Sequence, residues 1–349
     1  MSQTKIAING FGRIGRIFFR QAFALPSEAL AKEGAPQIKI VAINDLGSLE
    51  NLAYLLKYDS VYGPYEKEVN YSADIGKLVI DGYKVAVLNE KDPAKLPWKD
   101  LDVDIVVEST GVFDSRDQAA AHLDAGAKRV IITAPAKDEI TPVATPNINE
   151  ESAKLDKITS NASCTTNAVN PVIAVMMANP GIKKAVLNTM HGYTASQGLV
   201  DGPDKKGDFR RARAAAQNIV PSTTGAAKAT IRSIPWLEGK FDGLAVRVPV
   251  ISGSLIDLTF VAARPTSVGE INNIFKEAAG RPEWRGVLTI TEEPLVSTDI
   301  LKNPHGSIID LALTRVVDGD LVKIFSWYDN EWGYGAMLLK HVLAVAQIL

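Results

Sequence analysis

Short apolar runs alternate with helical patterns through the first half of the chain. Lys5-Ile6-Ala7-Ile8-Asn9 reads as a short buried strand, and residues 13–24 read as a helix. Further strands are predicted over 38–43, 103–108 and 129–133, the last two separated by a helical pattern over 115–125. Residues 157–162 read as the final strand of this layer. Strands alternating with helices imply parallel β-α-β units, hence an open sheet with helices on both faces.

After Cys164 the pattern changes. Residues 165–177 predict a helix that Asn179-Pro180-Gly181 ends, and 184–190 predict a strand. Residues 192–221 are polar, irregular and rich in Gly and Arg. A connection this long inside a compact domain usually serves function. Strands follow over 243–250, 255–263, 314–317 and 321–328 with few helices between them, the pattern of an antiparallel sheet. A helix over 331–348 closes the sequence. The expected organisation is an α/β domain over 1–163 and an α+β domain with a mainly antiparallel sheet over 164–330. The helix over 331–349 is expected to pack back on the first domain.

Composition narrows the function classes. A chain of 349 residues, 46% hydrophobic and 22% charged, suits an ordinary globular protein of two domains. A net charge of −2 gives no bulk attraction to nucleic acid or membrane. No apolar run reaches the ~18 residues of a membrane span, and the N-terminal residues show no signal-peptide pattern. The single cysteine excludes an intramolecular disulfide and suits a reducing compartment. A cytoplasmic protein is expected, without membrane, nucleic-acid or metal partners.

Gly10-Phe11-Gly12-Arg13-Ile14-Gly15 has the G-x-G-x-x-G spacing. Alone the motif is weak. Here it follows a predicted strand and opens a predicted helix, where glycines permit a tight turn and the helix N-terminus meets a pyrophosphate. The plainer alternative is a glycine turn used for packing. An acidic residue should end the second strand and take the ribose hydroxyls. Asp45 does so, 30 positions beyond Gly15 rather than the usual ~20. The segment 26–36 reads as an insertion that accounts for the difference. A carboxylate there repels a 2′-phosphate, which favours NAD over NADP.

Ala162-Ser163-Cys164-Thr165-Thr166-Asn167 joins a predicted strand to a predicted helix. A lone cysteine is most often a small buried hydrophobe. This one has polar neighbours and lies at a helix N-terminus, where the dipole favours the thiolate. A thiolate attacks an aldehyde carbon to give a hemithioacetal, and loss of hydride to nicotinamide leaves a thioester. Of His122, His191, His305 and His341, only His191 ends an apolar strand at the start of the long polar stretch. It is the best candidate base, although its spacing from Cys164 would equally suit a structural histidine. Arg247 interrupts an apolar strand and so calls for a partner such as phosphate. Arg210-Arg211-Ala212-Arg213 is a basic cluster that more commonly means a solvated face. Ser222-Thr223-Thr224-Gly225 opens a helix and suits either an anion cradle or a simple cap.

These stretches resemble phosphorylating glyceraldehyde-3-phosphate dehydrogenases over nearly the whole chain. The matches are NGFGRIGR from Asn9, STGVF from Ser109, SNASCTTN from Ser160, HGYT from His191, RRARAAA from Arg210, TTGAAKA from Thr223, RVPV from Arg247 and WYDNEWGY from Trp327. The resemblance implies a doubly wound, Rossmann-type first domain, Cys164 as nucleophile and His191 as base. It implies Arg13, Ile14, Asp45, Thr133 and Asn330 at NAD, with Tyr334 nearby. It places Thr194, Arg211 and Arg247 around the substrate phosphate, and Ser163, Thr165, Thr224 and Gly225 around the attacking phosphate. It also implies a homotetramer with residues 192–221 at a subunit interface beside the cofactor.

Three positions depart from the common pattern. Lys91 stands where arginine often faces the adenine. Ser196 stands at a substrate-phosphate position that is aspartate in many members and threonine in others. Ala168 stands where most have a second cysteine. Within the class the rivals are an erythrose-4-phosphate dehydrogenase and an NADP-using biosynthetic form, the latter disfavoured by Asp45-Leu46 and Gly202-Pro203. A catalytically idle binding scaffold is the rival of another class. The intact Cys164 and His191 and the near-neutral charge argue against it.

Overall fold

The computed structural model describes residues 3–24, 36–203 and 207–349. The segment 26–36, read above as an insertion, lies outside the described residues except for Pro36. The chain forms two compact units, one of Met1–Ala144, Asn149–Ala162 and Leu338–Leu349, the other of Thr145–Ile148 and Ser163–Met337.

The first unit carries β1 (Thr4–Asn9), β2 (Ile38–Asn44), β3 (Val69–Ser72), β4 (Lys77–Ile80), β5 (Tyr83–Leu88), β6 (Ile105–Glu108), β7 (Arg129–Ile132) and β8 (Ile158–Ser160). They form one sheet in the order β3-β4-β5-β2-β1-β6-β7-β8. All pairs from β5 to β8 are parallel. Strands buried on both faces need continuous apolar runs, and Ile105-Val106-Val107 and Val130-Ile131-Ile132 supply them. One face packs Ile6, Ile8 and Ile43 with Phe18 and Phe19 of helix α1 (Arg13–Ala24) and with helix α2 (Leu49–Lys57). The other packs Ala7, Val106 and Val130 with Trp98 and Ala119.

The antiparallel edge β3-β4-β5 was not among the expected strands. Its signal is local: Asp81-Gly82, both at positive φ, joins Ile80 to Tyr83 as a two-residue hairpin. The single helix expected over 115–125 is instead two short helices, Arg116–Ala119 and Ala121–Asp124.

The second unit carries β9 (Ile182–Gly192), β10 (Val220–Ser222), β11 (Phe241–Val248), β12 (Ser254–Ala262), β13 (Leu288–Thr291), β14 (Ser307–Asp310), β15 (Arg315–Val317) and β16 (Leu321–Tyr328). Their order is β10-β11-β9-β12-β16-β14-β13, with β15 on β16. The sheet is mainly antiparallel, with parallel pairs at β9-β11 and β13-β14. Strict alternation in β12 turns Ile256, Leu258, Phe260 and Ala262 to a core shared with helices α3 (Cys164–Ala178), α4 (Ala226–Ser233) and α5 (Val268–Gly280). Helix α5 and strands β13 and β14 were not expected. Helix α3 is buried almost all round, so it shows little of the one-sided pattern that marks surface helices.

Helix α6 (Trp332–Ala346) serves both cores: Met337 packs in the second, and Leu338, Val342 and Val345 pack in the first. On this helix His341 is buried. Its Nδ1 donates to Asn161 Oδ1 at 3.1 Å, and its Nε2 accepts from the Thr159 hydroxyl at 3.0 Å. Burial pushes its pKa from 6.5 down to about 4. Below pH 6.5 the unfolded chain therefore takes a proton that the folded chain refuses, and stability falls as pH drops toward 4. The loss is about 3 kcal/mol. His341→Gln should make the fall in Tm between pH 6.5 and 4 shallower than in the unmutated protein. An equally steep fall in thermal unfolding would contradict this.

Candidate active site

The glycines of the first loop occupy three different environments. Gly10 has φ +92, and a Cβ there would meet Thr110 N at 2.6 Å. Gly15 lies against the carbonyl of Gly10, so helix α1 can approach the loop only without a side chain. A Cβ on Gly12 would meet nothing within 4 Å. It would project into a cavity of about 820 Å³ lined in part by Gly10, Gly12, Asp45 and Lys91. That volume lies in the range of small-molecule and cofactor sites. The Asp45 carboxylate is oriented by Phe11 N at 2.7 Å and Gly47 N at 2.8 Å. Open space at Gly12, a helix N-terminus and a fixed carboxylate at the end of β2 suit a dinucleotide.

Other residues expected at the cofactor fall elsewhere in their units. Arg13 pairs with Asp59 at 2.6 Å, and its guanidinium lies 5.6 Å from the Tyr62 ring centre. Ile14 packs against the core of the first unit. Thr133 follows β7, its N–H donating to Glu108 O. Asn330, in the second unit, takes Gly253 N and the hydroxyls of Ser252 and Ser254 on its Oδ1 at 2.8–3.3 Å. This orients its amide nitrogen as the remaining donor. Tyr334 is buried in the first turn of α6.

The nucleophile site is built within the second unit. Ser163 caps α3, its hydroxyl accepting from Thr166 N at 3.1 Å. Cys164 is thereby the first helical residue, and its Sγ lies 3.3 Å from His191 Nε2. His191 comes from the end of β9, whose parallel neighbour β11 sets Arg247 opposite it. Tyr328, at the end of β16, hydrogen-bonds Thr165 and Thr189 at 2.9 Å each. Its ring meets that of His191 edge-on, with centres 6.0 Å apart.

Arg247 Nη1 lies 2.6 Å from His191 Nδ1, which is also 2.6 Å from Gly192 O. These contacts call for opposite tautomers. If Nδ1 donates to the carbonyl, Nε2 offers sulfur a lone pair and can take the thiol proton. If Nδ1 accepts from arginine, which can only donate, Nε2 carries a proton toward sulfur, as a thiolate requires. Transfer of the thiol proton to Nε2 of the first tautomer leaves an imidazolium whose Nδ1–H stays on Gly192 O; the second tautomer, with one proton fewer, matches a thiolate beside a neutral ring.

The electrostatics revise the expectation drawn from the helix terminus. Burial pushes the Cys164 thiol up; Arg247 and hydrogen bonds at Thr165 pull against it without prevailing. Burial, then Arg247, pushes His191 down to about 3. Desolvation of a charge in an enclosed site outweighs the partial charge of a helix end.

The anion candidates form two groups. Thr194 and Ser196 share a hydrogen bond at 2.9 Å. Arg211 donates to the Ser222 hydroxyl at 2.8 Å and Thr223 O at 3.0 Å and pairs with Asp208. Ser196, Arg211 and Thr223 line a second cavity of about 690 Å³. Gly225 is the N-cap of α4, and the Thr224 hydroxyl just before it accepts from Ala226 N at 3.1 Å. Sequence reasoning missed Asn9, Asn44, Ser109 and Thr110 on the first cavity, and Thr189 and Tyr328 behind the sulfur. The first four share a signal: they sit at or just beyond the carboxyl ends of β1, β2 and β6, where open α/β sheets bind ligands.

Residues 4–116 match the family model for the glyceraldehyde 3-phosphate dehydrogenase NAD-binding domain, and 163–330 that for its C-terminal domain. The chain is 46% identical to glyceraldehyde-3-phosphate dehydrogenase 2 of Bacillus subtilis, over 98% of this chain and 97% of that protein. It is 47% identical to glyceraldehyde-3-phosphate dehydrogenase 2 of Streptomyces avermitilis, over 99% of each. The glyceraldehyde-3-phosphate dehydrogenase of Zymomonas mobilis is 44% identical over 99% of each.

Arg247 favours the thiolate and opposes protonation of His191. Arg247→Leu should therefore raise the pH midpoint for alkylation of Cys164 by iodoacetamide. A rise of about one unit is the low end of what a neighbouring opposite charge does. A midpoint that stays put or falls would show that Arg247 does not govern this thiol.

Proposed function

The chain belongs to the glyceraldehyde-3-phosphate dehydrogenase family, NAD-dependent oxidoreductases acting on an aldehyde, and from there we propose a phosphorylating reaction run by Cys164 and His191. The substrate is D-glyceraldehyde 3-phosphate and the product 1,3-bisphosphoglycerate. The observation that carries this reading is the 3.3 Å approach of Cys164 Sγ to His191 Nε2, with Arg247 behind the ring.

His191 takes the thiol proton as sulfur attacks the aldehyde carbon, and returns it to the oxygen, giving a hemithioacetal on Cys164. It then accepts that hydroxyl proton as the carbon is oxidised. NAD, when bound, would supply the hydride acceptor; the residues lining the 820 Å³ cavity would hold it, with Asp45 to take the ribose hydroxyls. The resulting thioester is attacked by inorganic phosphate, and the acyl phosphate leaves as sulfur is freed. Arg247, Arg211 and Thr194 hold the substrate phosphate, with Ser196 beside Thr194. Ser163, Thr165, Thr224 and Gly225 face the attacking one.

No helix among the described residues is long and apolar enough to cross a membrane. A cytoplasmic enzyme fits the single cysteine. A homotetramer accounts for Leu199 and Phe209, which stand 82% and 86% exposed along the polar stretch and call for a covering surface.

Two measurements test this reading. NADH should form from glyceraldehyde 3-phosphate only when inorganic phosphate is present, faster than from erythrose 4-phosphate. Cys164→Ala should abolish turnover and keep NAD binding, and His191→Asn should cost roughly 10²–10⁴ in rate. Steady turnover to a free acid without phosphate would instead identify a hydrolytic aldehyde dehydrogenase. In the second measurement, Asp45→Gly should narrow the preference for NAD over NADP, chiefly by weakening NAD. Equal efficiency with both cofactors in the unmutated enzyme would refute the role given to Asp45.

A further inference from the structure

Beneath the first cavity runs a line of buried polar side chains that the reaction does not use. Trp98 Nε1 donates to His122 Nδ1 at 2.9 Å. An indole nitrogen only donates, so Nδ1 is the acceptor and the ring proton sits on Nε2. Nε2 then donates to Glu108 Oε2 at 3.0 Å. From the other side Asn9 Nδ2 donates to the same oxygen at 2.6 Å. Thr110 N at 2.8 Å and the Thr110 hydroxyl donate to Oε1. Asn9 Oδ1 accepts from Asn44 Nδ2 at 2.7 Å, and Asn44 in turn bonds both the carbonyl and the N–H of Glu90, at 2.8 and 2.9 Å. Every bond on the carboxylate is a donation to it, and the direction of the line is set at one end by Trp98.

This line crosses the carboxyl ends of the neighbouring strands β2, β1 and β6. Its members alternate with the residues assigned to the dinucleotide. Asn9 precedes Gly10, Asn44 precedes Asp45, Glu90 precedes Lys91, and Glu108 is two positions before Thr110; all of these line the cavity except Glu108. Trp98 and His122 are fully buried and do not line it. A shift of any strand end would carry the following residue with it.

We propose that Trp98, His122 and Glu108 are positioning residues for NAD: they lock three strand ends so that Gly10, Asp45 and Thr110 meet the cofactor in one geometry. The inference rests on the assignment of this cavity to NAD. Its signature is sensitivity to polarity rather than to packing. Glutamine at 122 can still accept from Trp98 and donate to Glu108, whereas phenylalanine fills the space and does neither.

His122→Phe should weaken NAD binding about tenfold by calorimetry, as expected when a charged group loses one hydrogen bond. KM for NAD should rise in parallel, while kcat at saturating NAD and the rate of Cys164 alkylation without NAD hold. His122→Gln should stay within about threefold of the unmutated protein, the rescue that mere filling of a core does not predict. Equal NAD affinities in the two variants would overturn the proposal, as would a fall in kcat with KM unchanged. If His122→Phe does not fold, Trp98→Phe takes its place. It deletes the indole donor and keeps an aromatic ring, and unaltered NAD affinity in that variant overturns the proposal equally. Asp45→Gly separates the two levels. Weaker binding there with intact binding in the His122 and Trp98 variants rejects the positioning role alone, and intact binding there rejects the assignment of the cavity.

Discussion

The site depends on the contact between Cys164 and His191, which joins a half-buried sulfur to a buried imidazole. Sulfur sits at the first turn of a helix buried almost all round, and the imidazole ends a central strand. Enclosure pushes the thiol up and the imidazole down, because a charge there would lose hydration. The same enclosure makes Arg247 influential, since a nearby cation acts more strongly where water cannot screen it. The parallel β9-β11 pairing sets that arginine opposite His191, and Tyr328 ties Thr165 on the helix to Thr189 on the sheet. The chemistry is thus a property of sheet register as much as of two residues.

The first unit solves a related problem by another route. Its ligand-facing residues come from strand ends and the loops beyond them, and loops alone are soft. Buried hydrogen bonds beneath the cavity convert separate strand ends into one surface. A half-satisfied network would cost more than an apolar floor. Here the donors and acceptors along the line match, from the indole N–H to the backbone of Glu90.

The features readable in the sequence were those written in consecutive residues. The glycine loop is six adjacent positions, and helix α3 with its cap and Cys164 lies in one run. Strand alternation in β12 and β16 was equally plain. What escaped was assembled across distance. His122, Glu108 and Asn9 are spread over more than a hundred positions and meet only because parallel pairing stacks β1 on β6. His122 therefore looked like one more helical residue. A helix terminus is visible in sequence, but the burial that pushes the Cys164 thiol up is not. The edge β3-β4-β5 is different, since Asp81-Gly82 between apolar alternations is a local hairpin signal that was passed over.

The division of α6 between two cores bears on how the protein is made. Synthesis proceeds from the N-terminus, and domains generally fold in that order. The strands of the first unit emerge early, yet Leu338, Val342 and Val345 belong to the same cluster as Ile6 and Ile8. That sheet must therefore wait, with part of one face uncovered, while the whole second unit is translated. Contacts spanning more than three hundred positions make its closure slow, and the waiting face is the surface a chaperone would shield.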